Sequence, residues 1–452
     1  MRGLWSTIAL IVVLAGLSAY IYFVTSKQPE SGTGPKQEKV FASVQADKIG
    51  DLRIKSESGA TTALKKGDAG WQLVEPAAVP ADESEVSGVT SALAQVEIVR
   101  VVDENPADLK DYGLAGPRIE VDFKATGDKD SRRLLIGDKS PTGADLFAKR
   151  NDEKRVFLIA AFQEQTFNRS TFDLRDKTLI KFDRDKVDGF EVNAGGKSLQ
   201  IAKDGGEWKI AKPLKALADL GSVEGFIGRV QTARMKSFVS NEPSAADLKK
   251  YGLDKPDVTL QVNVGSAKAT LLVGGKADDN TVYARDASKP AVMTMDKTLA
   301  DDLRKNAEEY RRKDIFAFRA YTANRMEMTR NGQTVAFEKA KAAGKDAGTA
   351  PDKWRRVSPN AGDVDNDKVA ALLAKLEGMR ALSFVESTAK TGLESPAMTV
   401  VAKFEDGKKE DRVLFGKSGD NVYAQRQGEP GAAKIDAAEF NDASSKLDEL
   451  SK

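Results

Sequence analysis

Ser387-Thr388-Ala389-Lys390 places a serine and a lysine one turn apart, as in enzymes where lysine activates a serine hydroxyl, and Lys390-Thr391-Gly392 spells a second motif of that class. The two motifs overlap within six residues, whereas the chemistry needs them on separate elements facing one pocket. Asp363, Asp365 and Asp367 imitate the start of a calcium loop. Lys368 stands where the loop needs glycine, and Ala374 where it needs a bidentate glutamate. Gly274-Gly275-Lys276 invites a phosphate-loop reading, but Thr270 replaces the earlier glycine and Ala277 the required Ser or Thr. Asp278-Asp279 and Asp301-Asp302 are paired acids, read here as a loop tip and a helix start. Acid–base work by two carboxylates requires them about 5–10 Å apart in one pocket, which sequence alone does not provide. Gly221, Gly225 and Gly228 fall on one amphipathic helix and read as helix packing. Histidine and cysteine are absent, which excludes imidazole bases, thiolates, disulfides and His/Cys metal sites. No residue is assigned a catalytic, cofactor-binding or metal-binding role.

The elements that carry these residues repeat three times, with a period of about 138 residues. Trp71, Pro76 and Asp82 recur as Trp208, Pro213 and Asp219, and again as Trp354, Pro359 and Asp365. The tryptophan lies on a predicted strand that its proline ends. The aspartate caps a predicted helix, with Asp82 and Glu85 in capping-box spacing. Val86, Val89, Leu93 and Val96 then match Val223, Phe226, Val230 and Ala233, and Val369, Leu372, Leu376 and Met379. Steps of three, four and three put each set on one helical face, so the helix packs on a sheet. A fixed place before a proline marks the tryptophans as packing residues rather than sugar-stacking platforms. Gly113-Leu114, Gly252-Leu253 and Gly392-Leu393, each with a proline three residues after the leucine, punctuate the way into a second set of alternating strands.

The chain has 452 residues, 70 basic against 68 acidic, with a net charge of +2, which gives no electrostatic reason to expect nucleic acid. Residues 3–24 carry no charge and, as a helix, would extend about 33 Å, enough to cross a bilayer core. The expected fold is α+β: a transmembrane anchor over 1–25, a flexible polar linker over 26–39, and three modules at 40–177, 178–314 and 315–452. Each module is expected to pair an antiparallel sheet with one amphipathic packing helix and a short closing helix. Arg2 and the amino terminus favour an inside N-terminus with the body exported. A low-complexity insert, 340–353, reads as a loop in the third copy.

At Trp71–Pro76 (W-x-L-x-E-P), Glu104–Leu114 (ENPADLKDYGL), Arg132–Asp138 (RRLLIGD), Phe172–Phe182 (FDLRDKTLIKF) and Tyr310–Phe318 (YRRKDIFAF), the chain resembles the bacterial domain-of-unknown-function 4340 family. The third copy departs most, with Thr391 in place of Tyr112 and Tyr251. The resemblance implies an anchored envelope protein, in some members encoded beside gliding-motility-type ABC transporter components, and no catalytic residues. The resulting expectation is a single-pass protein of the bacterial inner membrane whose bulk is periplasmic. It would act as a non-enzymatic scaffold or binding protein, accessory to an envelope transporter, with the lipid bilayer, a membrane transporter or other envelope proteins as partners and no cofactor. A binding protein for envelope glycan, lipid or peptide in inter-module clefts is the alternative, and a carboxylate hydrolase ranks last.

Overall fold

Alternation of apolar and charged residues along Ile49–Lys55 sets the plan of each repeat. Leu52 and Ile54 are buried while Asp51 and Arg53 face water, as a half-buried strand of period two requires. The computed structural model describes residues 38–340 and 353–451. The expected anchor, most of the linker and most of the low-complexity insert lie outside the described residues. Among the described residues no helix is long and apolar enough to cross a membrane.

In the first sheet, β1 (Ile49–Lys55), β2 (Thr61–Gly67), β3 (Gly70–Glu75) and β4 (Val79–Pro80) meander outward to one edge. Helix α1 (Glu83–Gln95) carries the chain from that edge to the opposite one, where β5 (Arg100–Asp103) lies. β6 (Ile119–Ala125) returns to the centre beside β1. β7 (Arg132–Lys139), β8 (Asp145–Arg150) and β9 (Val156–Ala160) then step out to β5. The order is β4-β3-β2-β1-β6-β7-β8-β9-β5, antiparallel throughout. Two further nine-stranded sheets, within 187–296 and 323–435, repeat this order strand for strand. The chain divides into two compact units at Lys177/Thr178, the second of which holds two sheets.

The predicted helical faces are the ones that pack. Val86, Val89 and Leu93 of α1 are fully buried against Leu52, Phe123, Ile136 and Trp71. Each such side chain contributes about 1.5–3 kcal/mol when removed from water. In α2 (Leu220–Thr232) and α3 (Asn366–Glu377), Val223, Phe226 and Val230, and Val369, Leu372 and Leu376, are buried in the same way. Asp82, Asp219 and Asp365 are the N-caps: Asp82 accepts from the Ser84 and Glu85 N–H groups, Asp219 from Ser222, and Asp365 from Asp367 and Lys368. The capping box expected at Glu85 is not formed. Its carboxylate pairs with Arg169 at 3.1 Å, so an ion pair from the closing segment takes the side chain instead.

Trp71, Trp208 and Trp354 sit in equivalent surroundings, each at most 6% exposed. Each faces a lysine across the sheet, in the pairs Lys66–Trp71, Lys203–Trp208 and Lys339–Trp354. The ammonium groups of Lys203 and Lys339 lie 4.8 and 5.9 Å from the ring centres of Trp208 and Trp354. The peptide bonds into Pro76, Pro213 and Pro359 are cis.

Two details depart from the expected plan. Glu38 and Lys39, read as linker, belong to the first module: the Ile98 N–H donates to the Glu38 carbonyl and Lys39 bridges Glu97. The closing helix differs between copies. The first has short turns of helix at Gln163–Phe167 and Thr171–Leu174, and the second has them at Lys297–Asp302 and Ala307–Tyr310. The third ends in a longer helix, α4 (Ala437–Ser451), which buries Phe440, Ala443, Leu447 and Leu450. Lys375 of α3 pairs with Asp442 of α4 at 2.9 Å.

Candidate functional site

Each residue pattern that could have carried chemistry is placed by the repeat. Gly137 and Gly113 show the strictest case. Gly113 has a left-handed φ of +67°, and a Cβ at Gly137 would overlap the Tyr112 carbonyl oxygen, so the turn and the strand touch backbone to backbone. Gly274 and Gly416 occupy the same place in the other copies, against Tyr251 and Thr391. The phosphate-loop reading of Gly274-Gly275-Lys276 is thereby replaced by a packing contact, with the Gly275 N–H donating to the Tyr251 carbonyl at 2.8 Å. Ser387 and Lys390 lie in the matching turn of the third copy. The Ser387 hydroxyl accepts from the Ala389 N–H, and Thr391 is buried with its hydroxyl on the Thr388 carbonyl.

The acidic candidates are scattered among local partners. Asp365 caps α3, and Asp363 stands 3.3 Å from Arg355 on an exposed strand end. Asp278 accepts from Asn280 and Thr281 within its own loop, while Asp279 pairs with Lys276 at 2.6 Å. Asp301 pairs with Lys297, and Asp302 with Arg229 and Lys305. Burial works against the charge of Asp302, yet Lys305 and Arg229 prevail and hold its carboxyl below the usual aspartate range. Gly221, Gly225 and Gly228 lie along α2 away from its buried side chains, with Gly228 leaving room for the Arg184 guanidinium. Among the described residues no three acidic side chains converge as a metal site would need.

Two features emerge that sequence reasoning did not single out. The outer face of the first sheet, away from α1, carries a ladder of alternating charge. Arg53 bonds Glu75 at 2.6 Å, Lys55 bonds Glu120 at 2.8 Å, and Arg133 bonds Asp122. These strands line an open groove of about 790 Å³ that includes Val74, 42% exposed.

The second feature is a buried charge cluster in the second unit. Arg311 follows Tyr310 at the end of the second sheet's closing segment and is only 5% exposed. Its guanidinium lies 4.1 Å from the centre of the Phe384 ring and donates to Glu429 and to the Pro430 carbonyl, both at 3.2 Å. Arg426 sits 3.8 Å from Glu429 and donates to the Ile315 carbonyl at 2.9 Å. Asp411, equally buried, accepts from the Ala317 and Phe318 N–H groups. Arginine does not exchange protons at ordinary pH, so the cluster is suited to holding segments together rather than to acid–base work. Its signal in the sequence was the string YRRKDIFAF, legible as a repeat signature but not as one half of an ion pair.

The family model for the Domain of unknown function (DUF4340) matches this chain three times, over residues 71–219, 208–353 and 354–452. The chain belongs to the DUF4340 family. Each DUF4340 match starts at or beside a sheet's tryptophan strand, and the first two run beyond that sheet, so the family unit is offset from the structural one. No curated protein matches the chain. Among solved structures, a DNA polymerase sliding clamp from Pseudomonas aeruginosa aligns over 88% of this chain and 93% of its own, at 9% identity. The TM-score of that alignment is 0.16, and nothing about this DUF4340 protein follows from it.

Proposed function

We propose that this protein is a non-enzymatic, membrane-anchored scaffold or binding protein of the periplasm, accessory to an ABC-type envelope transporter. One observation carries the reading. The residue types able to do chemistry are engaged in caps, turns and backbone contacts of a sheet used three times over. Repetition multiplies surface rather than building one reactive centre. The anchor, the exported topology and the transporter association rest on the uncharged segment at 3–24 and on the family resemblance, and belong to this proposal. Crosslinking in intact membranes, followed by affinity capture of the full-length chain, is expected to recover a membrane protein complex. Capture of the chain alone at every crosslinker length refutes the scaffold role.

The groove on the first sheet's outer face favours a second reading, a binding protein for a polar envelope polymer. Wall-fragment glycans and peptides would then raise the melting temperature of the protein, because a ligand of the folded state stabilises it. Lack of any shift at millimolar fragment removes this reading and leaves the first.

A further inference from the structure

We infer that Arg311 is a latch that locks the second and third repeats into one orientation. Arg311 belongs by chain order to the second repeat, since the neighbouring Asp219 N–H donates to the Tyr310 carbonyl and the Arg312 N–H to the Leu217 carbonyl. Its side chain belongs to the third. It lies on Phe384, in the edge strand Ser383–Val385, and bonds Glu429 and Pro430 in the loop before Ala432–Ile435. A guanidinium is planar and rigid, so stacking and ion pairing together fix both its position and its plane. Burial removes the screening that makes surface ion pairs weak.

The first repeat shows that a carboxylate at this position receives a cation. In the first repeat Arg150 and Glu153 stand where Arg426 and Glu429 stand in the third, and Arg150 donates to the Val40 carbonyl as Arg426 does to Ile315. In the first repeat the cation position is filled from within. Arg155, in the place of Gly431, bonds Glu153 at 2.7 Å, and Val101 stands where Phe384 offers its ring. In the second repeat the two positions carry Asp286 and Lys289, opposite in sign and 3.2 Å apart. Only the third repeat combines an aromatic platform, an arginine-flanked glutamate and a glycine that leaves space. There the preceding repeat supplies the arginine from within the same compact unit.

The chain has no cysteine, so two can be placed at will. Spin labels at Lys268→Cys and Lys408→Cys, exposed positions in the second and third repeats, report the distance between them in the full-length protein. The wild-type latch is expected to give one narrow distance distribution. Arg311→Ala and Phe384→Leu should each widen it at least twofold, while amide exchange in strand Met398–Phe404 stays at the wild-type rate. Widening with an intact core exchange pattern supports the latch. A wild-type width in both variants overturns it, as does widening accompanied by faster exchange in that strand, which marks plain unfolding. Should Arg311→Ala not fold, Arg311→Lys takes its place, keeping the charge but not the planar fork; widening supports the latch and an unchanged width overturns it.

Discussion

Gly137→Ala tests the claim that turn and strand meet backbone to backbone in every copy. A methyl there would overlap the Tyr112 carbonyl oxygen and lie 3.0 Å from the Gly113 carbonyl carbon and 3.1 Å from Leu114 Cγ. Two of these three atoms are main chain, so no side-chain rotation relieves the clash. Leu114, 3% exposed, is itself held by the core. Overpacking in a rigid site costs about 1–3 kcal/mol, and the main-chain overlap places this case at or above about 3 kcal/mol. Gly88 supplies the control. It lies exposed in α1 with nothing within 4 Å of an added Cβ and has no left-handed φ, so Gly88→Ala should stabilise by roughly 0.5–1 kcal/mol through helix propensity. A multi-repeat chain need not unfold in one step, so the readout must be local. Pulsed hydrogen exchange along a urea series, followed on peptides from strands β6 and β7, provides it. The reasoning is refuted if Gly137→Ala shifts the midpoint of those peptides no further than Gly88→Ala does. Gly274→Ala and Gly416→Ala should behave like Gly137→Ala, each in its own sheet, because Leu253 Cγ stands 3.1 Å and the Leu393 N–H nitrogen 2.6 Å from the added methyl.

Asp219→Ala removes the cap that accepts from the Ser222 N–H at 2.8 Å, and should cost about 1 kcal/mol, read from the urea midpoint of peptides in α2. Trp208→Ala empties a site 4% exposed and should cost about 3–5 kcal/mol, visible as early unfolding of the second sheet. Burial pushes the Tyr310 hydroxyl well above the usual tyrosine range, with Asp302 and Glu309 adding to the rise. The folded chain therefore keeps a proton that the unfolded chain releases near pH 10, so stability should fall as pH climbs above about 10. Tyr310→Phe should flatten that alkaline limb in a melting series; an unchanged limb would contradict the assignment. Asp302 behaves in the opposite sense. Its lowered pKa contributes stability present above about pH 4 and lost on further acidification, and Asp302→Asn should remove that acid dependence.

The local structure was legible wherever a residue type has one physical use. Aspartate six residues after the proline and just ahead of an apolar-periodic run reads as a cap, and the gap-free match of Val86, Val89 and Leu93 with Val223, Phe226 and Val230 fixed which helical face is buried. Alternation identified strands but not their partners. The central pairing of β1 with β6 joins segments separated by four strands and a helix, and no propensity encodes so distant a choice. The route of α1 from the β4 edge to the β5 edge follows from that pairing, so it was hidden as well. The Arg311 cluster stayed out of sight for a related reason. Arg311 and Glu429 stand 118 residues apart, and each reads alone as an ordinary surface charge.

The third copy shows why a repeat's departures from its own pattern inform more than its constancy. In the first and second copies the segment after the closing helix pairs back onto the N-cap of the packing helix: the Asp82 N–H meets the Leu174 carbonyl and the Asp219 N–H meets Tyr310. Those same segments end in Arg175 and Arg311, at matching positions. Among the described residues of the third copy, α4 lies along α3 instead, sealed by Lys375–Asp442 and the buried Leu447 and Leu450. Arg155 in the first repeat holds its Glu153 with an internal ion pair, whereas α4 in the third repeat covers α3 with a helix.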